Sequence, residues 1–383
     1  MVFLKGPVWL ALTRFADLSS LLVAWPINFL LLYCILTKSP KEFGRYKSLM
    51  TWFTVQSIFF SGIAAFTHMC FHTIDGTFMM FTVSNHLNLP SPCIWALLGT
   101  CCISVGYVLF ILSAQFVYRY FAMSNTANLK YFSGWRRLYF VLIMVLVAVV
   151  YGGCGFVGIN LTPQKDTQIR ITMAAEYEVT PEEIHYVAVE YFFRDESNET
   201  VFNWLSIGTA GMLNSVFVNL GSQRADEQMS HFQSTMVFVI IYCGVKTYKG
   251  TQLRTCHLSN HMYIQKQLFT ALVVQTLTPT ILIFIPCIIF YVLPIFEIPL
   301  GADANILSIS LVLYPLIDPI GVLFIIKNYR NFLKKFFYRR IFRRSRCDVM
   351  RLDHPTRPTR TFRDIRSIES ELKESPRFDA IQN

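Results

Sequence analysis

Seven apolar stretches dominate this chain, near 15–37, 49–70, 93–117, 138–159, 231–247, 267–293 and 304–326. About 20 apolar residues carry a helix across the roughly 30 Å hydrocarbon core of a bilayer. Lipid offers no partner for backbone N–H and C=O groups, so each stretch is expected to be a helix. The fifth is the least apolar. Only 15% of the residues are charged and 53% are hydrophobic, where soluble domains run near a quarter charged. The expected fold class is an all-α membrane protein, a seven-transmembrane helix bundle. Folds of soluble enzymes are excluded.

Charge on the connecting loops sets the expected orientation. Lys38, Lys41, Arg45 and Lys47 follow the first stretch, and 71–92 carries no Lys or Arg. Arg119, Lys130, Arg136 and Arg137 lie in 118–137, whereas 161–203 holds three basic residues against nine acidic ones. Lys246, Lys249, Arg254 and Lys266 follow the fifth stretch, and 294–303 has no basic residue. Basic loops stay cytoplasmic. The N-terminus is therefore expected outside and the C-terminus inside, with Lys5 and Arg14 the minor counter-evidence. No cleavable signal segment is evident in Met1–Arg14, so the first span is expected to act as its own insertion signal.

These alternations divide the chain into an extracellular N-terminus (1–14), a helix-bundle domain (15–345) and a polar cytoplasmic tail (346–383) expected to be disordered. The region 204–248 is read as one span over 231–247, because a second span there would put the basic tail outside. Residues 327–383 hold 16 Lys/Arg against 7 Asp/Glu, a charge suited to anionic inner-leaflet lipids. Nucleic acid is not an expected partner. Within about 328–345, Tyr329, Phe332, Leu333, Phe336, Phe337 and Ile341 recur at helical spacing among Lys and Arg. That pattern predicts an amphipathic interfacial helix, with Cys347 at its end a candidate for palmitoylation. Two sequons, Asn160-Leu161-Thr162 and Asn198-Glu199-Thr200, fall on the side that the charge pattern places outside, so both asparagines are glycosylation candidates.

Ionisable residues are rare inside the apolar stretches, and intramembrane ones tend to be functional. Asp318 lies nine residues before Lys327 and should face the bundle interior. Pro319 beside it frees a backbone carbonyl, so Asp318-Pro319 reads as a polar hinge, with Asn28 a partner. Tyr118-Arg119-Tyr120 closes the third stretch, where Arg119 is either an interfacial anchor or a conformational latch. Pro279 and Pro286 allow the sixth helix to bend. His68 and His72, four apart, have zinc spacing, yet no partner appears at matching depth on another span. Neither a metal nor any other cofactor is expected, and the histidines are read as lining a ligand vestibule.

Several segments then resemble one family, the nematode chemosensory seven-transmembrane receptors of serpentine receptor class r (Str), a branch of the G-protein-coupled receptors. They are Asn28 with its Leu-rich run, Phe43-Gly44-Arg45-Tyr46-Lys47-Ser48-Leu49-Met50, Gln115-Phe116-Val117-Tyr118-Arg119-Tyr120 and Ile241-Tyr242-Cys243-Gly244-Val245-Lys246. Gln267-Leu268-Phe269, Gln275-Thr276, Pro279, Pro315-Leu316-Ile317-Asp318-Pro319 and Tyr329-Arg330 complete the set.

The resemblance implies a chemosensory, olfactory-type receptor and not an enzyme. A small odorant or soluble cue would bind on the extracellular side, and a heterotrimeric G protein would be activated on the other. Its place would be the plasma membrane of a sensory neuron cilium. Tyr118 stands where the wider superfamily has an acidic residue, which removes the usual ionic restraint on Arg119. Val322 stands where that superfamily has Tyr after Asn-Pro. Lys266 would join the inner contact surface. Pocket-lining candidates are Thr100, Ser104, Ser308 and Ser310, with His72. Receptors of this shape often tie the start of the third helix to the following outer loop by a disulfide. Here 161–203 lacks Cys, which leaves Cys70 or Cys154 to pair with Cys93, or free thiols. Residues 205–230 exceed the family pattern and read as an insertion or a gene-model error. The rival reading is a ligand-gated channel or transporter of the same topology.

Overall fold

The first helix, α1 (Gly6–Lys38), opens with Pro7 in its first turn, where a missing N–H costs nothing. It starts nine residues before the expected first span, so residues 6–14 continue the helix. Its buried positions Trp9, Thr13, Asp17, Ser20, Ala24, Asn28 and Leu31 recur every three or four residues and form one stripe. Phe15, Leu22, Phe29 and Leu36 leave the stripe's opposite side exposed and apolar. The stripe's polar members reach the neighbouring helices. Ser20 Oγ donates to the Val312 carbonyl at 2.7 Å and Asn28 Nδ2 to that of Pro315 at 2.8 Å. Trp25 Nε1 donates to Ser61 Oγ at 3.1 Å.

The computed structural model describes residues 4–74, 76–84, 89–124, 126–132, 134–135, 138–139, 141–143, 145–146, 149, 163–194, 200–204, 206–207, 239–250, 260–298, 300–336 and 338. After α1 come α2 (Tyr46–Thr67), β1 (Cys70–Ile74), β2 (Thr77–Val83), α3 (Ser91–Ser124) and a 3₁₀ turn, Thr126–Phe132. Then follow α4 (Pro163–Tyr177), β3 (Ile184–Glu190), and the short pair β4 (Phe192–Arg194) and β5 (Thr200–Phe202). Helix α5 covers 239–250. Helix α6 (Asn260–Pro279) runs through a π turn, Thr280–Phe284, into α7 (Ile285–Val292), and α8 (Ile306–Ile325) follows.

Among the described residues, five helical stretches are long and apolar enough to cross a membrane: Gly6–Lys38, Tyr46–Thr67, Ser91–Ser124, Tyr263–Phe296 and Ala302–Ile325. They match the first, second, third, sixth and seventh expected spans. Most of 138–159, and 231–238 of the fifth stretch, lie outside the described residues. Chain contacts divide the protein into Met1–Arg330 and Asn331–Asn383. Residues 331–336 of the second unit are helical, with the rings of Phe332 and Phe336 6.1 Å apart.

One feature departs from the all-loop expectation for 71–92 and 161–203. A three-stranded antiparallel sheet, ordered β1-β2-β3, joins the two segments, with Phe78 opposite Val189 and Phe81 opposite Tyr186. Side chains alternate between its faces. Phe71, Phe78, Met80 and Val189 pack on the bundle core with Leu98, Phe290 and Leu307. Cys70, Met79, Phe81, Ile184 and Ala188 pack beneath Ile169, Met173 and Tyr177 of α4. The sheet is thus a middle layer, wet on neither face. Cys70 and Cys93 are not joined to each other, and Cys154, the other candidate partner of Cys93, lies outside the described residues.

The histidine pair is also rearranged. Helix α2 ends at Thr67 because His68 turns into the left-handed region at φ 52°. His72 then lies on β1, so the two histidines do not share a helical face. Gly76, at φ 69°, makes the β1–β2 turn, and a Cβ there would come within 2.5 Å of the Phe192 ring. Gly76→Val is expected to lower thermal stability in detergent by about 1–3 kcal/mol through strain and overpacking. A thermal melt followed by amide exchange of 70–83 checks it.

Candidate functional site

Three consecutive residues at the end of α3 point in three directions, as 100° steps along a helix require. Tyr118 packs on Tyr46 at 5.7 Å and edge-on to Phe132 at 5.3 Å. Tyr120 meets Tyr242 of α5 at 6.0 Å. Gly244 lets α5 approach this closely, since a Cβ there would lie 3.2 Å from the Phe116 ring. Arg119 points inward and is 2% exposed. Its guanidinium lies 3.7 Å over the Tyr46 ring, and Nη1 donates to Gln265 Oε1 of α6 at 2.6 Å. Tyr46 is held in turn by its hydroxyl, which donates to Gln115 Oε1 at 2.8 Å. Arg119 Nε and Nη2 have no acceptor among the described residues. A desolvated cation over an aromatic face is worth about 2 kcal/mol. Arg119 is thus held by a neutral cradle, a ring from α2 and an amide from α6. Lys266, next to Gln265, is exposed.

Proline shapes the middle of the bundle. Pro319 has no N–H to return to the carbonyl four residues earlier, that of Pro315. Asn28 Nδ2 supplies the missing donor, reaching the Pro315 carbonyl at 2.8 Å and that of Ala24 at 2.9 Å. Asn28, expected as a partner of Asp318, thus meets the Pro315 carbonyl; among the described residues no hydrogen bond joins it to the Asp318 carboxyl. Asp318 itself is 1% exposed and accepts a hydrogen bond from Gln275 of α6. Close packing of α6 on α8 beside this pair needs Gly321, where a Cβ would lie 2.8 Å from Val274. Pro279 ends α6 at the π turn.

The expected pocket residues separate. Thr100 is half-buried and donates to the Ala96 carbonyl of its own helix at 2.7 Å. Ser104 is buried, and its carbonyl accepts from Gln56 at 3.2 Å. Ser308 is buried with no partner for its hydroxyl among the described residues. Ser310 Oγ donates to the Leu282 carbonyl at 2.7 Å. Among the described residues no hydrogen bond joins these four. His72 lies beneath α4, with Nδ1 3.1 Å from Tyr177 Oη and Nε2 3.6 Å from Glu176 Oε2. Tyr177 Oη also accepts from Asn305 Nδ2 at 3.0 Å, and Phe71 N–H donates to Asn305 Oδ1 at 3.0 Å. Burial holds the His72 imidazole down to a pKa of about 4 and pushes the Glu176 carboxyl up. Among the described residues no group of three His, Cys, Asp or Glu side chains is placed to hold a metal ion.

Asn160, Asn198 and Cys347 lie outside the described residues, as does the extra length at 208–230. Three residues carry contacts that the sequence did not single out. Tyr46 and Gln265 hold Arg119, and Asp17, 3% exposed in α1, has one carboxylate oxygen without a partner among the described residues. The usable signal for Tyr46 was topological. Antiparallel neighbours bring the start of the second span level with the end of the third.

Five described helices long and apolar enough to cross a bilayer, tied by buried polar groups, define a multi-pass membrane protein. Residues 13–223 and 225–334 match the sequence pattern of the family described as serpentine type 7TM GPCR chemoreceptor Str; the chain belongs to that family. Among curated proteins, serpentine receptor class r-10 of Caenorhabditis briggsae is 27% identical over 348 residues, covering 87% of this chain and 93% of that protein. The Caenorhabditis elegans protein of the same name is 26% identical over 340 residues, with coverage of 87% and 93%. G-protein coupled receptor str-33 of Caenorhabditis elegans is 22% identical over 321 residues, covering 82% and 88%.

The His72 contacts give the sheet a pH dependence of definite sign. An unfolded histidine takes its proton near pH 6.5, whereas buried His72 resists until about pH 4. Its stabilising contribution is therefore complete above pH 6.5 and is lost as pH falls from 6.5 towards 4. By pH 5 the loss is about 2 kcal/mol. Protection factors for the amides of 70–83 should fall between pH 7 and pH 5, and His72→Gln should flatten that dependence.

Proposed function

We propose that the chain is a ligand-activated chemosensory receptor. A small odorant or soluble cue binds at the end of the bundle closed by the sheet, on the extracellular side. A heterotrimeric G protein is activated at the end where Arg119 lies, in the cytoplasm. The plasma membrane of a sensory neuron cilium is its place. Loop charge supports this orientation, since Lys41, Arg45, Lys47, Lys130, Lys246 and Lys266 all flank the Arg119 end. The same orientation makes Asn198 and Asn160 glycosylation acceptors. It also puts the basic stretch after α8 on anionic lipid, with Cys347 as its acylation site.

The observation that carries the reading is the state of Arg119. A guanidinium buried over Tyr46, bonded to Gln265, with Nε and Nη2 lacking acceptors among the described residues, is a group held back from use. Its ties run from α3 to α2 and α6, so separation of α6 from α3 releases it towards the cytoplasm. The receptor is then a two-state bundle, and an agonist is a molecule that binds the open state better. Affinity comes from apolar surface below the sheet and selection from a few hydroxyls, Ser308 first among them. Bending at Pro279 and Asp318-Pro319 connects the two ends.

Expression in heterologous cells with an odorant panel and a G-protein readout tests the mechanism. At matched surface expression, Arg119→Ala is expected to abolish the evoked signal. Gln265→Ala removes one charged hydrogen bond of about 1.5–3 kcal/mol and should raise the basal signal roughly tenfold. An unchanged response in Arg119→Ala, or an evoked current in cells lacking the G protein, rejects the mechanism and leaves the channel or transporter.

A further inference from the structure

The stretch from Leu272 to Pro286 is chemically soft. Pro279 and Pro286 each lack the N–H that would close a helical turn. Between them the chain takes the π turn Thr280–Phe284, in which the Ile285 N–H reaches back to the Thr280 carbonyl. Such turns mark helices under local strain and cluster at functional sites. Thr276, Thr278 and Thr280 each donate their hydroxyl to the carbonyl four residues earlier, at 2.8, 3.0 and 2.6 Å, a pattern that bends and weakens its host helix.

Two side-chain bonds tie this soft segment to α8, one on either side of Pro279. On one side Gln275 donates to Asp318. On the other, Ser310 Oγ donates to the Leu282 carbonyl at 2.7 Å. Leu282 lies inside the π turn, where the backbone ladder shifts from four-residue to five-residue spacing, and its carbonyl takes the Ser310 hydroxyl as a donor from α8. In lipid an unserved carbonyl costs several kcal/mol, and the donor has to come from a neighbour. Ser308, two residues earlier on α8, makes no such bond.

We infer that Ser310 is a positioning residue for the bend in the sixth membrane-crossing helix. Its hydroxyl clamps the Leu282 carbonyl and holds the π turn against α8. The hydroxyl is thereby committed to the backbone and not to a ligand. Only the signalling consequence rests on the receptor mechanism proposed above; the clamp itself does not.

Hydrogen exchange on the purified full-length protein tests the clamp without a G protein. Ser310→Ala should speed amide exchange across 280–288 about three- to tenfold. Ser310→Thr keeps the hydroxyl and should restore the wild-type rate, and Ser308→Ala should leave it unchanged. In cells, Ser310→Ala should raise the basal G-protein signal at matched surface expression. Unchanged exchange in Ser310→Ala overturns the assignment, as does equal acceleration in Ser308→Ala. Faster exchange confined to Ser310→Ala alongside a silent G-protein assay supports the clamp and counts against the receptor mechanism.

Discussion

A backbone carbonyl without a donor cannot be left in hydrocarbon, and this chain creates such carbonyls on purpose. Pro319 strips the Pro315 carbonyl of its helical partner, and the Leu282 carbonyl lies in the π turn between Pro279 and Pro286. Both are served from another helix, by Asn28 and Ser310. Together with Ser20 on the Val312 carbonyl, these bonds make α8 the strut to which α1 and α6 are fastened. Each interhelical bond contributes only about 0.6 kcal/mol on average in a membrane. Their weakness is useful: the bundle is fixed, yet a modest differential affinity moves it between states.

The same logic explains why polar residues gather where they do. The α1 stripe Thr13, Asp17, Ser20 and Asn28 faces protein, while large apolar side chains cover the opposite side. Arg119 is the extreme case. Among the described residues it meets no carboxylate: the fold gives it the Tyr46 face and one amide, and leaves Nε and Nη2 without acceptors. At the other end, the sheet closes the bundle, and His72 is a buried titratable group beneath its α4 roof.

Much of the bundle was legible in the sequence, because an apolar run of about 20 residues has few alternatives. The ends were less so. Helix α3 runs to Ser124 and α1 begins at Gly6, since residues beyond the hydrocarbon limit continue a helix without adding apolar signal. The sheet was not legible. Strands buried on both faces lose the alternation that betrays a strand, and β2 pairs with β3 across a separation of about 100 residues. That mistake also put His68 and His72 on a helix. Arg119, Asp318 and Asn28 stood out because polar groups in lipid are rare. Tyr46 and Gln265 did not, being ordinary residue types near a span's end. Asp17 was hidden by its place at the start of an apolar run.

Spin labels placed at Ser124, at the end of α3, and at Tyr263, near the start of α6, measure most directly whether these carbonyl bonds between helices hold the closed bundle. Pulsed dipolar spectroscopy would compare the wild-type protein with an Asn28→Ala/Ser310→Ala variant in lipid nanodiscs. The account predicts a single short separation in the wild type and a second, longer population in the variant. Superimposable distributions would contradict it.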